Sequence, residues 1–200
     1  MTGPRAATVA DAAAIARLHA TAIHEGFLAG LGPAFLRRLY ARVVRSEHAF
    51  ALVVDDDVHG TCGFIAVAEH LGAFYREFLV HDGAAAAAAA LPGIVRHPRH
   101  VWETLRYGVS GSDGAAPGNG AAAAEVLAVA VDPAARRAGL GRALTTAAVD
   151  ELRARGGVTA RVVTAVGNEA AIRAYEAAGF RRAGTDTVHR GVVQEVLVWP

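Results

Sequence analysis

The sequence predicts an α/β fold: a mixed, twisted central sheet flanked by helices, with a helical insertion between strands three and four. Three observations carry this. Residues 126–131 are a short Val-rich run closed by Asp132-Pro133, the pattern of a strand buried on both faces. A basic, glycine-punctuated turn from Arg136 to Gly141 leads into Leu140, Leu144, Ala148 and Leu152 at helical spacing through Arg155, ended by Gly156-Gly157. An apolar run at 158–166 then completes a strand–helix–strand crossover, right-handed as such connections are, while the other runs pair as antiparallel hairpins.

Taken in order, Thr8 to Ala10 reads as a first edge strand and Asp11 as the N-cap of a helix to about Ala22, with Ile15, Leu18 and Ile23 on one face. Pro33 opens a second helix carrying Phe35, Leu36, Leu39, Tyr40 and Val43. Residues 50–54 and 63–68 form a hairpin around Asp55-Asp-Asp57. That acidic triplet reads as an exposed turn rather than a metal site, since Asp favours turns and no partner ligands stand at metal spacing. Residues 71–107 read as two or three helices, with the Ala84–Ala90 run helical by propensity. His97 and His100 lack a third ligand and read as solvated surface. Ser110 to Gly120 is a loop by composition. Asn168 caps a helix to Ala178 that Gly179 ends, and 180–183 with 192–199 form a closing hairpin.

Composition bounds the function. Two hundred residues suit one domain, 1–200, in which 71–120 is a helical and loop insertion. A net charge of +1 gives no footprint for nucleic acid, and no apolar stretch approaches the length of a membrane span. Neither partner is expected; a homodimer stays open. The single cysteine, Cys62, and an N-terminal stretch without a long apolar core fit a cytoplasmic protein. All twenty basic residues are arginine, which excludes lysine Schiff-base chemistry. Nothing near Cys62 in sequence marks it as an activated nucleophile.

The Arg136–Gly141 turn suits an anion. The first N–H groups of a helix have no internal partner and sit at the positive end of its dipole. Glycine lets a phosphate approach the main chain, and Arg136, Arg137 and Arg142 add charge. A dinucleotide fingerprint would need glycine in place of Leu144, and a P-loop would need a lysine. Arg136-Arg137-Ala138-Gly139-Leu140-Gly141 instead resembles the [Q/R]-x-x-G-x-[G/A] turn of the GNAT family, the Gcn5-related N-acetyltransferases. Downstream, Asn168-Glu-Ala-Ala-Ile-Arg-Ala-Tyr175-Glu-Ala-Ala-Gly179-Phe180 resembles that family's N-x-x-A-x-x-x-Y-x-x-x-G-F segment. Together the two motifs cover about 125–184.

The resemblance implies the GNAT acyl-CoA N-acyltransferase fold, with two splayed parallel strands, and acetyl-CoA as acyl-donor substrate without a metal. It implies that Arg136, Arg137, Ala138, Gly139, Leu140, Gly141 and Arg142 hold the pyrophosphate, that Val129 and Val131 offer main chain to the pantetheine arm, and that Asn168 touches that arm besides capping its helix. By the same resemblance Tyr175 is the general acid that protonates the leaving thiolate; its alternative role is a packed core residue. Glu125 stands at the spacing of the general base in the histone-acetyltransferase branch, with acceptor contact or sheet-end charge as alternatives. His24, Glu25 and Phe27 are acceptor contacts by resemblance alone, and His24 equally suits a helix terminus facing solvent. The insertion is expected to shape the acceptor pocket. The implied activity is direct acetyl transfer to an amine of a small molecule or amino sugar. Transfer to a protein N-terminus, a lysine or a hydroxyl, or acyl-CoA binding without catalysis, are the alternatives.

Overall fold

The computed structural model describes residues 3–23, 27–57, 60–96, 123–135, 139–188 and 192–200. Among them the strands are β1 (Arg5–Ala6), β2 (Ala49–Asp56), β3 (Gly60–Ala68), β4 (Ala124–Val131), β5 (Ala160–Ala165), β6 (Arg181–Val188) and β7 (Val192–Trp199). The helices are α1 (Ala12–Ala22), α2 (Phe27–Gly30), α3 (Pro33–Arg45), α4 (Leu71–Arg96), α5 (Leu140–Ala154) and α6 (Glu169–Ala177). One sheet runs in the order β1-β2-β3-β4-β5-β7-β6. Every neighbouring pair is antiparallel except the parallel pair β4–β5. The mixed sheet, its single parallel step and the helical segment after β3 are as the sequence predicts.

Each face of the sheet carries its own core. On one side β2, β3 and β4 pack Ala51, Val53, Phe64, Ala66 and Ala128 against Ile15 and Leu18 of α1, Leu36, Tyr40 and Val43 of α3, and Phe74 and Phe78 of α4. On the other, Leu52, Ile65, Val67, Val126 and Val162 pack against Leu144, Val149 and Leu152 of α5 and Ile172 and Tyr175 of α6. The apolar run at 126–131 thus serves both faces. A bulge at Leu127, where Ala66 pairs with Ala128 but Val67 pairs with Val126, changes the parity of β4 between its two ends.

Two contacts tie α1 and α3 over this sheet. His19 Nδ1 lies 2.6 Å from Tyr40 Oη, and both residues are buried. Burial alone lowers the His19 pKa to about 4, so the imidazole is neutral near physiological pH. Tyr40 in turn meets Phe64 edge-on, with ring centroids 5.2 Å apart.

The N-terminus departs from the sequence reading. The first strand is Arg5–Ala6 rather than Thr8–Ala10, and Val9–Asp11 is a single 3-10 turn. Asp11 immediately precedes α1 but makes no side-chain cap to it. Its carboxylate instead accepts from the Thr8 backbone N–H at 2.7 Å and Oγ1 at 2.8 Å, and takes two bonds of 2.9 Å from Arg5. Arg5 Nε also reaches Asp55 Oδ2 at 2.7 Å, so this guanidinium bolts the first strand to β2. The Arg5 bonds hold the Asp11 carboxyl below the ordinary carboxylate range. A depressed folded pKa gives stability that is present above the unfolded value and lost as pH falls toward the folded one. Asp11→Asn is therefore expected to cost about 1–3 kcal/mol near neutral pH. The gap from wild type should narrow in acid. Urea melts at about pH 7 and about pH 3 check it, and a constant gap would assign the loss to geometry rather than charge.

Among the described residues the insertion is helical, as expected, and forms a single helix as far as Arg96. α4 runs unbroken through the alanine stretch, with Pro92 inside its C-terminal part. Phe74 and Phe78 seat it on the core, and Arg42 of α3 clamps it by bonds to Asp82 at 2.6 Å and Glu77 at 3.3 Å. These contacts hold the first turns, where proline is absent. The rest of the 71–107 stretch from His97 on, with His97 and His100, and the 110–120 loop lie outside the described residues. Elsewhere α2 is a short helix not foreseen, and β2 extends through Asp56, so only Asp57 of the acidic triplet stands in a turn.

Candidate active site

The N-terminus of α5 is built as an anion cradle. Gly139, its N-cap, sits at φ +72°, a left-handed conformation that favours glycine, and no side chain caps the helix. Ala143 is the first residue whose N–H returns to the Gly139 carbonyl, at 3.0 Å. The N–H groups of Leu140, Gly141 and Arg142 ahead of it are the ones a helix leaves unpaired. Arg142 is exposed and forms no ion pair among the described residues. Arg136, Arg137 and Ala138 lie outside the described residues.

A cleft opens beside this cradle. β4 and β5 pair only at Ala124–Ala160 and Glu125–Arg161. Beyond Glu125 the β5-facing main chain of β4 has no strand partner among the described residues, although β3 continues to pair its other edge as far as Val131. An inner sheet edge with open N–H and C=O groups needs other partners. The expected splay of two parallel strands is therefore present. Val129 and Val131 stand on this open stretch and pack against the α5–α6 core.

Tyr175 lies on α6 in the core of the same face. Asn168 caps α6, its Oδ1 accepting from the Ala171 N–H at 3.3 Å while Nδ2 donates to Thr164 Oγ1 at 3.2 Å. Ile172 and Tyr175 follow on the buried face, 0% and 4% exposed. The Tyr175 ring lies 5.7 Å from that of Phe180, and its hydroxyl has no hydrogen-bond partner among the described residues. Burial raises its pKa, so the phenol keeps its proton. A buried hydroxyl left unpaired is costly, and a bound polar group would satisfy it.

Glu125 opens to the opposite face. Directly paired residues of an antiparallel ladder project to the same side. Glu125 pairs with Ala68, which belongs to the α1–α3–α4 core, whereas the next pair, Val67–Val126, belongs to the α5–α6 core. Burial raises the Glu125 pKa, and the charge of Arg161 opposes that rise. Arg161 is itself held by Asp186 at 2.9 Å.

The residues named from sequence thus fall into two groups. Gly139, Leu140, Gly141, Arg142, Val129, Val131, Asn168 and Tyr175 gather on the α5–α6 side of the splay, and Glu125 faces away from them. His24 and Glu25 lie outside the described residues, and Phe27 is described only in its backbone, as the start of α2. Two neighbours were not singled out. Thr164 shares the Asn168 side chain, and its signal was a hydroxyl four residues before the cap. Arg161 pairs with Glu125 across the only parallel rungs and could be found only once strand register was known.

Comparison with known proteins follows this geometry. The sequence pattern of the acetyltransferase (GNAT) family matches residues 21–180. A mycothiol acetyltransferase of Streptosporangium roseum is 47% identical over 66 residues, 33% of this chain and 20% of that protein. The chain spans only 20% to 28% of the length of such curated relatives. Among solved structures, a GCN5-related N-acetyltransferase from Kribbella flavida superposes with a TM-score of 0.63 at 19% identity, over 98% of this chain and 96% of that one. The ribosomal-protein-S18-alanine N-acetyltransferase from Escherichia coli gives 0.61 at 18% identity, over 100% and 94%. With the family pattern covering most of its length, the chain belongs to the acetyltransferase (GNAT) family.

Proposed function

We propose that this protein is an acetyl-CoA-dependent N-acetyltransferase that passes an acetyl group directly to an amine of a small molecule. The observation that carries the reading is the splay of β4 from β5, with a cradle for phosphate and an unpaired phenol on one face and a half-buried carboxylate on the other. The names of the curated relatives, mycothiol acetyltransferases, agree with a small-molecule acceptor.

Acetyl-CoA supplies an activated acyl group as its thioester. Backbone N–H groups of Leu140, Gly141 and Arg142, with the Arg142 side chain and the neighbouring Arg136 and Arg137, bind its pyrophosphate. The open edge of β4 at Val129 and Val131 receives the amides of the pantetheine arm, and Asn168 orients that arm. Glu125 takes the proton that an ammonium must lose before its nitrogen attacks the carbonyl carbon. As the nitrogen–carbon bond forms and the carbon–sulfur bond breaks, the Tyr175 hydroxyl donates a hydrogen bond to the leaving sulfur, which departs as a thiolate and takes its proton from solvent on release. Entry of the two substrates from opposite faces lets both wait at the reacting centre together, which suits transfer without a covalent enzyme intermediate.

The test is calorimetric and enzymatic. Acetyl-CoA at a hundred times its dissociation constant should stabilise the fold by about 2.7 kcal/mol. Gly139→Asp should abolish that shift, because it sets a carboxylate against the phosphates and a side chain at a left-handed position. Release of free CoA with a panel of primary amines then separates an enzyme from a binding module. A wild-type melting curve indifferent to acetyl-CoA would sink the assignment of this site.

A further inference from the structure

Helix α4 starts beside Glu125. Only Glu69 and His70 separate the end of β3 at Ala68 from Leu71, and Ala68 is the residue paired with Glu125. The first two turns of α4 are therefore held at the mouth of the face into which Glu125 projects. Phe74 anchors them, with none of its surface exposed. Its neighbour Tyr75 differs. Its ring centroid lies 5.6 Å from that of Phe74, yet 40% of the residue is open to solvent. Burial raises the Tyr75 phenol, and the charge of Glu125 raises it further; Tyr75 in turn acts on Tyr40. Glu125 of β4 and Tyr40 of α3 are the groups that interact with Tyr75; Arg161 of β5 acts on Glu125, and His19 of α1 meets Tyr40. Among the described residues the Tyr75 hydroxyl has no hydrogen-bond partner. A half-open ring near a half-buried carboxylate offers a cation two favourable surfaces, the negative ring face and the anion.

We propose that Tyr75 is a specificity-determining residue of the acceptor site, forming with Glu125 the surface that receives a positively charged amine. The proposal rests on the assignment of Glu125 to the acceptor side made above. It names the insertion helix as the element that selects the acceptor and a cationic ammonium as the group selected. Neutral and anionic acceptors lose either the ion pair or the ring contact.

The probe is tetramethylammonium, a cation that cannot be acetylated, with binding followed by its NMR signal in the presence of the protein. Wild type should bind it. Tyr75→Ala should weaken binding about two- to fivefold, the size of a partly exposed cation–aromatic contact. Tyr75→Phe, which keeps the ring, should retain it, and Glu125→Gln should lose most of it. Affinity for acetyl-CoA should be the same in wild type and both Tyr75 variants. Because the ring is 40% open, neither Tyr75 substitution empties the core. A separate reading tests the juxtaposition without any ligand. The phenol titration that Tyr75→Phe removes from the ultraviolet difference spectrum should move to lower pH in Glu125→Gln. Equal tetramethylammonium affinity in wild type and Tyr75→Ala, no binding to wild type, or an unmoved phenol titration would each overturn the proposal. If these arms hold while acetyl-CoA fails to bind, it is the acetyltransferase reading that falls and the cation site that stands.

Discussion

Tyr175→Phe is expected to lower kcat by roughly 10² to 10⁴ while leaving acetyl-CoA affinity and melting temperature almost unchanged. The phenylalanine ring refills the space against Phe180 and Ile172, so packing is kept, and only the proton is lost. The environment points to the lower end of that range. Burial holds the phenol above its ordinary value, whereas a free thiol titrates near 8.5, so full transfer to the sulfur is uphill at equilibrium. The hydroxyl is then expected to supply a hydrogen bond that strengthens as negative charge grows on the sulfur. Tyr175→Ala separates packing from chemistry: it should lose the same activity and also about 3–5 kcal/mol of stability. If Tyr175→Phe turns over like wild type and the alanine variant merely unfolds, the tyrosine is a core residue and the acid lies elsewhere.

How much of this site could be read from the chain depends on the range of the interactions involved. The α5 cradle was legible because a strand, a glycine turn and an amphipathic helix are local patterns, and Gly139 is where a left-handed residue was needed. Asn168 was legible for the same reason, since a cap bonds its own helix. The Arg5–Asp11–Asp55 bolt was not, because Arg5 and Asp55 meet across fifty positions, and the first strand, Arg5–Ala6 rather than Thr8–Ala10, is defined by its pairing with β2. The bulge at Leu127 was equally silent in the sequence. Read as one unbroken apolar run, β4 has a single parity, which says nothing of which face Glu125 meets. Only its pairing with Ala68 turns the carboxylate away from Tyr175 and toward α4. The first turns of α4, which carry Tyr75, are held by the packing of Phe74 and Phe78 and by the Arg42 clamp, contacts that a local pattern does not reveal.

Glu125→Gln should show opposite signs in stability and activity. Its carboxyl pKa is raised in the fold by burial, so the ionised form is destabilising above that pKa and protonation as pH falls relieves the cost. Glutamine keeps the shape without the charge. At neutral pH the variant should therefore be as stable as wild type or more so, and Arg161 keeps its bond to Asp186. Activity should behave otherwise. As the base for an ammonium acceptor, Glu125 sets the acid limb of kcat/KM above the ordinary glutamate value of about 4.3, because only the ionised carboxylate accepts the proton. Glu125→Gln should lower kcat/KM by roughly 10² to 10⁴ near neutral pH and abolish that limb. Raising the pH should recover part of the loss, since more of the amine then arrives already deprotonated. Acetyl-CoA binding on the opposite face should not change. A pH–rate profile with the wild-type acid limb intact in Glu125→Gln would remove this residue from the proton path. A fall in stability together with activity would mark it as a sheet-end charge whose partner is Arg161. Gain in stability with loss of rate is the pattern that a half-buried carboxylate kept for chemistry at a cost in folding free energy should give.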